Sequence, residues 1–129
     1  MTFDLDLLGM ASASASHAGK RQQVIAENIA QADVPGFKAR DIKPFAEIFE
    51  APANGLALKQ TRSAHLGGTN VVRGADPHEI AGLEASPNGN TVSLEAEMTK
   101  AAGVRHDYEL ALGIYSKSLD ILRKSLGRR

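Results

Sequence analysis

A proline-glycine pair limits what the first third of this chain can form. The residue before a proline is disfavoured in the α region, so Val34 interrupts the helical pattern that precedes it. Pro35 presets φ near about −65°, and Gly36 accepts the positive φ that the next position of a type II turn requires. The sequence therefore predicts a helix that ends near Ala32, a tight turn, and a new chain direction from Phe37 onward.

Small and apolar residues before this turn repeat at intervals of three and four. They are Leu8, Ala11, Ala15, Ala18, Ile25, Ile29 and Ala32, with Gln22 in the one polar position. This spacing is typical of a coiled-coil seam, although an ordinary amphipathic helix in a globule has it too. Because most of these positions are alanine, the seam buries little apolar area, and we expect the helix to depend on a partner.

The last third of the chain carries a second seam with bulkier residues. Its members are Leu94, Met98, Ala101, Tyr108, Leu112, Tyr115, Leu119, Leu122 and Leu126, with Arg105 in the polar position. Ser93 is placed to cap this helix, and Gly127 is placed to end it. Gly103 and Gly113 each cost about 1 kcal/mol relative to alanine, so this helix too should need a partner.

Between the two helical regions the sequence favours irregular structure. Pro44, Pro52, Pro77 and Pro87 and several glycines interrupt any long element there. Phe45, Ile48 and Phe49 suit one helical turn, and the alternation at 56–58 and 71–72 suits short strands. We expect a central connection that is partly extended or mobile, with a small hairpin at most.

The predicted helix lengths decide the architecture. Helices over residues 4–32 and 93–126 would be about 43 Å and 50 Å long. A compact globule of this chain length has a diameter of roughly 36 Å, so both helices would extend beyond it. The predicted fold class is therefore mainly α, with two long antiparallel, coiled-coil-like terminal helices. Residues 1–41 and 91–129 would form one discontinuous helical rod domain, and residues 42–90 the central connection.

Composition and motifs indicate no catalytic, cofactor-binding or metal-binding site. The 129 residues include no cysteine. His17, His65, His78 and His106 occur without HxxxH or HExxH spacing. The sequence contains no GxxxxGK[ST], GxGxxG or GxSxG motif.

Charge and hydropathy exclude further classes of function. The formal net charge is +0, which argues against a nucleic-acid partner because such binding needs a basic field. No apolar run approaches the roughly 20 residues of a membrane-spanning helix. Asp4 and Asp6 stand where a secretory signal would carry positive charge, so the sequence predicts no cleaved signal peptide.

The turn and its flanks match a known signature. Ala26, Asn28, Ala30, Pro35, Gly36, Phe37 and Lys38 fit the pattern ANNxANxxTPGF/Y followed by a basic residue. Through Asn28, Pro35, Gly36, Phe37 and Lys38 in particular, the chain resembles the axial proteins of the bacterial flagellum. Glu27, Gln31 and Val34 depart from the pattern, where the family usually has Asn, Asn and Thr.

Further blocks resemble one branch of that family, the proximal rod proteins of the FlgB type. These blocks are ARDI at 39–42, TxSAHL at 61–66 and NGNTVSLEAEM at 88–98, where the family has a similar DGNTVDLDxEM. The resemblance covers both ends of the chain and these internal blocks.

The resemblance implies a non-enzymatic structural subunit of the flagellar basal-body rod, part of the drive shaft that transmits torque from motor to hook. It also implies assembly in the periplasmic space after export through the flagellar type III apparatus. The implied partners are copies of the chain, other rod proteins, and the adapter and export-gate components of the basal body. No cofactor is implied.

Three other interpretations remain open at this point. A sister rod or hook subunit would share the signature at 28–38 but lack NGNTVSLEAEM at 88–98. A free-standing helical adaptor or regulator would need a self-sufficient core, which the alanine seam disfavours. An enzyme would need clustered ionisable groups, and the sequence shows no such cluster.

Overall fold

A computed structural model describes residues 2–50 and 75–127 of the chain. In chain order the elements are helix α1 (Thr2–Ala30), strand β1 (Arg40–Asp41), helix α2 (Phe45–Glu50), strand β2 (His78–Glu79) and helix α3 (Leu94–Ser125). The predicted fold class is confirmed, since the chain is mainly helical, with long terminal helices and a small two-stranded antiparallel sheet between them.

Helices α1 and α3 pack against each other in opposite directions. Asn28, near the end of α1, contacts Glu97, near the start of α3, while Ala18 packs against Val104. With 29 and 32 residues, the helices are about 43 Å and 48 Å long at 1.5 Å per residue. The described part of the chain is therefore built on an antiparallel helical pair.

The ends of α3 follow from capping chemistry. The Ser93 hydroxyl accepts a hydrogen bond from the Ala96 amide at 3.5 Å, and Glu95 and Glu97 place negative charge in the first turn. Both effects satisfy or complement amides that have no partner within the helix. At the other end Gly127 has a φ of +71° and donates its amide to the Lys124 carbonyl. This left-handed residue ends the helix.

The core is small and lies on two sides of α1. One cluster joins Ala18 and Ile25 of α1 to Val104 of α3, with Ile29 and Ala101 packed beside it. A second cluster joins Val24 to Ile42 and Ala75, with Ile48 beside it. Because one side of α1 faces α3 and another faces the central connection, α1 is the element that both other parts of the structure contact.

The central connection runs beside α1 as a short ladder. Strands β1 and β2 pair antiparallel, with Arg40 opposite Glu79 and Asp41 opposite His78. The ladder continues where Ile80 donates its amide to the Ala39 carbonyl at 3.0 Å. On its other side this segment meets Thr91, whose amide donates to the Phe37 carbonyl at 3.0 Å and whose hydroxyl accepts from the Ala39 amide at 2.9 Å.

The central connection contains a short helix, as the sequence predicts. The helical turn predicted at Phe45, Ile48 and Phe49 is α2. The strands predicted at 56–58 and 71–72 lie outside the described residues, as does the block at 61–66. Among the described helices, none is long and apolar enough to cross a lipid bilayer.

The first core cluster generates a stability prediction. Ile25 is 1% exposed whereas Ile121 is 55% exposed, so the same truncation tests burial directly. We expect Ile25→Ala to lower the free energy of unfolding by about 2 to 5 kcal/mol, because it leaves a cavity at the α1–α3 contact. Ile121→Ala should change it by less than about 0.5 kcal/mol in the isolated chain. Urea denaturation followed by circular dichroism measures both, and equal losses would contradict this description of the core.

Candidate assembly site

The sequence signature at 28–38 forms the end of α1 and the turn that follows. Gly36 has a φ of +75°, and the Phe37 amide donates to the Val34 carbonyl at 3.3 Å. A positive φ at the third position and a bond across four residues describe the type II geometry that the sequence favours. Pro35 and Lys38 are exposed, and Phe37 is half-buried.

Residues 88–90, which precede α3 in the chain, hold this turn. The Gly36 amide donates to the Asn88 carbonyl at 3.0 Å, and the Lys38 ammonium donates to the Gly89 carbonyl at 3.2 Å. A Cβ added to Gly89 would lie 3.4 Å from the Gly36 Cα. The two glycines therefore allow two backbone turns to approach closely, which joins the signature to the NGN part of the block at 88–98.

Asn90 bonds the segment that follows α1. Its side-chain amide, 2% exposed as a residue, donates to the carbonyls of Gln31, Ala32 and Val34 at 2.8 to 2.9 Å. Its side-chain oxygen accepts from the Val92 amide at 2.8 Å. These three carbonyls belong to the segment that follows α1, so a residue far along the chain holds the turn that leads out of this helix.

Asn28 joins three parts of the structure. Its side-chain oxygen accepts from the Arg40 amide at 3.0 Å, and its amide donates to the Arg40 carbonyl at 2.7 Å and to a Glu97 carboxylate oxygen at 3.0 Å. Lys100 donates to the other Glu97 oxygen at 2.8 Å. Asn28 and Glu97 are 1% and 2% exposed, so α1, β1 and α3 meet at a buried polar junction.

An ion pair holds β1 to the middle of α1. Arg21 donates two hydrogen bonds to Asp41, both at 2.8 Å, and the Ile42 amide donates to the same carboxylate. Partial burial raises the pKa of Asp41, but the bonds from Arg21 and Ile42 outweigh it, so the pKa lies below its ordinary value. The hydrogen bond with Asp41 raises the pKa of Arg21.

Sequence reasoning missed the face of α1 that binds the connection. His17, Arg21, Val24 and Asn28 lie along it at intervals of four, three and four. His17 bonds the Lys43 carbonyl at 2.8 Å, and its ring lies 5.7 Å from that of Phe45. The helical spacing is present in the sequence, but three of the four residues are polar, so apolar periodicity does not reveal this face.

Two of the residues predicted for the α1 seam, Ile25 and Ile29, lie at the contact with α3. Ile25 is buried in the first core cluster, and Ile29 packs against that cluster. Leu8 is half-buried near the start of the helix.

The register predicted for α3 does not describe its contact with α1. The buried residues of α3 are Glu97, Val104, Ala111 and Ser118. The predicted Leu94, Met98, Tyr108 and Leu112 are 50%, 61%, 41% and 44% exposed. Tyr115, Leu119 and Leu122 are half-buried beside the contact. Small residues allow α1 and α3 to approach closely, which moves the bulky residues to the flanks of the contact.

Within the described residues, no group of three or more potential ligands is arranged to hold a metal ion. Every buried side-chain nitrogen or oxygen in that part of the chain has a hydrogen-bond partner. The buried polar groups thus hold segments of the structure together. The main exposed feature is the set of large apolar side chains on α3.

The Arg21–Asp41 pair predicts a pH dependence of stability. Because the pKa of Asp41 is lower in the folded than in the unfolded chain, its stabilisation is complete above about pH 4 and is lost as the pH falls through the folded value. Asp41→Asn removes this contribution. The difference in unfolding free energy between the native chain and Asp41→Asn should therefore shrink below about pH 4. A urea-denaturation series across pH measures it, and a constant difference would contradict the assignment.

The turn gives a second prediction. A β-branched residue is strained at the positive φ of Gly36, so Gly36→Val should lower the free energy of unfolding by about 1 to 3 kcal/mol. Gly36→Asn should cost less, since asparagine tolerates left-handed geometry better. Total helix content should stay near that of the native chain in both variants. Circular dichroism and urea denaturation measure these quantities, and equal effects of valine and asparagine would show that φ is not the constraint.

Comparison with known proteins identifies relatives of similar length. A relative from Agrobacterium fabrum is 34% identical over 111 residues, which cover 82% of this chain and 81% of the relative. A relative from Salmonella typhimurium is 33% identical over 107 residues, covering 78% of each chain. One from Escherichia coli K12 is 32% identical over 104 residues, covering 75% of each chain.

All three relatives bear the name flagellar basal body rod protein FlgB. No protein-family model matches the sequence. Identity at this level along most of both chains, together with the helical pair and the signature turn, shows that this chain belongs to the FlgB family of flagellar basal body rod proteins.

Proposed function

We propose that this rod structural subunit is non-catalytic and assembles through the sides of α3 that α1 leaves uncovered. The observation that carries the proposal is the exposure of large apolar residues on a helix already packed on one side. Within the described residues these include Leu94, Met98, Leu110, Leu112, Ile114 and Ile121, each at least 38% exposed. The function itself, a structural subunit of the flagellar rod, follows from the family.

The exposed residues lie on two flanks of α3. At 100° per residue, Leu94, Met98 and Leu112 lie on one side of the contact with α1, and Leu110, Ile114 and Ile121 lie on the other. A surface helix that packs on one side only normally carries a single apolar stripe. This distribution supports further helices on both sides of α3, and it gives the predicted residues Leu94, Met98, Tyr108 and Leu112 a role between subunits.

Open grooves accompany both flanks. One, of about 280 Å³, lies between α1 and α3 and is lined by residues that include Met10, Ala18, Leu110 and Ile114. The other, of about 360 Å³, is lined by Ala18, Gly19, Gln22, Val104, Arg105 and Tyr108. Gly19 and Ala18 let a neighbouring helix approach the pair closely. We infer that apolar side chains of neighbouring subunits enter these grooves.

The proposed domain organisation follows the same division. Residues 1–41 and 91–129 would form a discontinuous rod domain in the inner tubular layer, and residues 42–90 a connection carried on it. Asn28, Pro35, Gly36, Phe37 and Lys38 would set the direction in which this connection leaves the layer. The bonds from 88–90 to the turn support that role.

Assembly within the flagellar basal body follows from the family, and the finer partners and route are proposed. The partners are copies of this chain, other rod proteins, and the adapter and export-gate components beneath the rod. The rod position is periplasmic, and the chain reaches it through the flagellar export apparatus without signal cleavage. The family resemblance supports this route.

The assembly surface predicts a separation between folding and function. Leu112 is 44% exposed, so Leu112→Asp should leave the helix content and stability of the isolated chain nearly unchanged. In the rod the same change would bury a charge in an apolar contact, which is strongly unfavourable without a partner. We expect normal export but loss of rod assembly and of swimming in soft agar.

Gly113→Asp is the matched control, because Gly113 is exposed on the side of α3 that faces away from α1, outside both flanks. It should retain motility at close to the native level. If both variants were equally motile or equally defective, the flank of α3 that contains Leu112 would not be an assembly surface. A Leu112→Asp chain that unfolded in isolation would also contradict the separation.

A further inference from the structure

We propose that Asn28 is a positioning residue whose amide orientation, fixed by β1, determines whether α1 can bond to α3. The proposal concerns coupling inside one subunit and goes beyond the assembly surface described above. It rests on how the hydrogen bonds of one buried side chain are divided between two segments.

The two ends of the Asn28 side chain are chemically distinct. The oxygen only accepts hydrogen bonds, and the NH₂ group only donates them, with two hydrogens. The Arg40 amide requires an acceptor and takes the Asn28 oxygen at 3.0 Å, while the Arg40 carbonyl requires a donor and takes the NH₂ group at 2.7 Å. With both bonds made, the side chain has only one orientation.

That orientation directs the remaining hydrogen at Glu97. The distance from the Asn28 nitrogen to the Glu97 oxygen is 3.0 Å, and a carboxylate can only accept. If the amide were reversed, its oxygen would face the carboxylate and the two groups would repel. Docking of β1 onto α1 therefore selects the orientation that α3 can accept.

A second residue of α3 holds the Glu97 carboxylate in place. Lys100 bonds its other oxygen at 2.8 Å. Among the hydrogen bonds of the described residues, the one from Asn28 to Glu97 is the only bond that connects the α1 and α3 helices directly. The remaining contact between these helices, which includes Ile25 and Val104, is mainly apolar, and apolar contacts are non-directional. Asn28 is thus placed to couple the docking of the connection to the pairing of the terminal helices.

Exchanging donor and acceptor in the hydrogen bond between residues 28 and 97 separates the contact of Asn28 with β1 from its contact with α3. In Asn28→Asp the side chain has no donor, so it repels both the Arg40 carbonyl and Glu97. Adding Glu97→Gln restores a donor toward α1, and the new glutamine still offers an oxygen to Lys100. The Arg40 carbonyl, however, remains without a donor. The double variant should therefore regain the helical pair but not the docked strand.

Amide hydrogen exchange in the full-length chain, held in a stabilising osmolyte, measures the two events separately. The Ala39 and Ile80 amides report the docked strand, because they bond Thr91 and the Ala39 carbonyl. The Val104 amide reports the helical pair. Asn28→Asp should accelerate exchange at all three amides. In Asn28→Asp/Glu97→Gln, exchange at Val104 should return to near the native rate, while that at Ala39 and Ile80 stays about tenfold faster, the equivalent of about 1.4 kcal/mol.

A residue that merely added stability would not give this pattern. If exchange at Ala39 and Val104 recovered together in the double variant, or stayed fast together, other contacts would couple the segments and the proposal would be wrong. Glu97→Ala provides a second variant, since it removes the α3 partner and keeps both bonds to Arg40. It should accelerate exchange at Val104 more than at Ile80, and equal acceleration at the two amides would also overturn the proposal.

Discussion

Close approach of α1 and α3 along small side chains is the contact on which the rest of the structure depends. Ala18 and Ala111 allow the two helices to approach where larger residues would hold them apart, and Ile25 and Val104 fill the space that remains. The approach also brings Asn28 within 3.0 Å of Glu97. Because alanine contributes little transfer free energy, Ala18 and Ala111 position the helices more than they stabilise them.

Polar contacts fix the relative placement of α1, α3 and the central connection, which apolar contacts alone do not fix. A hydrogen bond contributes a net stabilisation of only about 1 kcal/mol, but a buried donor or acceptor without a partner costs about 1 to 3 kcal/mol. Asn28, Asn90 and Glu97 are all nearly inaccessible to solvent. Their effect is therefore mainly to penalise arrangements in which α1, the connection and α3 are misplaced. The Arg21–Asp41 ion pair holds β1 to α1 at a second place along the helix.

The sequence predicted the fold class, both helices and the left-handed glycine because each has a local signal. Pro35 and Gly36 specify a turn through their own backbone preferences, and Ser93 and Gly127 mark the ends of α3 in the same way. The register of α3 has no such signal. Leu94, Met98 and Leu112 are more hydrophobic than Ala111 and Ser118. The smaller residues nevertheless face α1. Which residues of α3 face α1 depends on the distance between the two helices. The spacing of apolar residues in the sequence does not determine that distance.

The same reasoning explains why the candidate site was only partly predictable. The signature predicted a turn at Gly36, but nothing near it indicated that residues 88–90 would bind it from the far side of the sequence. Asn90 bonds three carbonyls of a segment more than fifty positions earlier. Two parts of the family pattern, far apart in the chain, are thus halves of one contact.

This arrangement divides two kinds of interaction between the inside and the outside of the subunit. Inside, directional bonds at Asn28, Asp41 and Asn90 fix how the connection lies on the helical pair. Outside, α3 presents bulky apolar residues, and in the assembly proposed above their contacts with neighbouring subunits are non-directional and accept small differences in neighbour position. A rod subunit must keep its own shape while it assembles with other flagellar components. Directional bonds suit the first requirement, and an apolar surface suits the second.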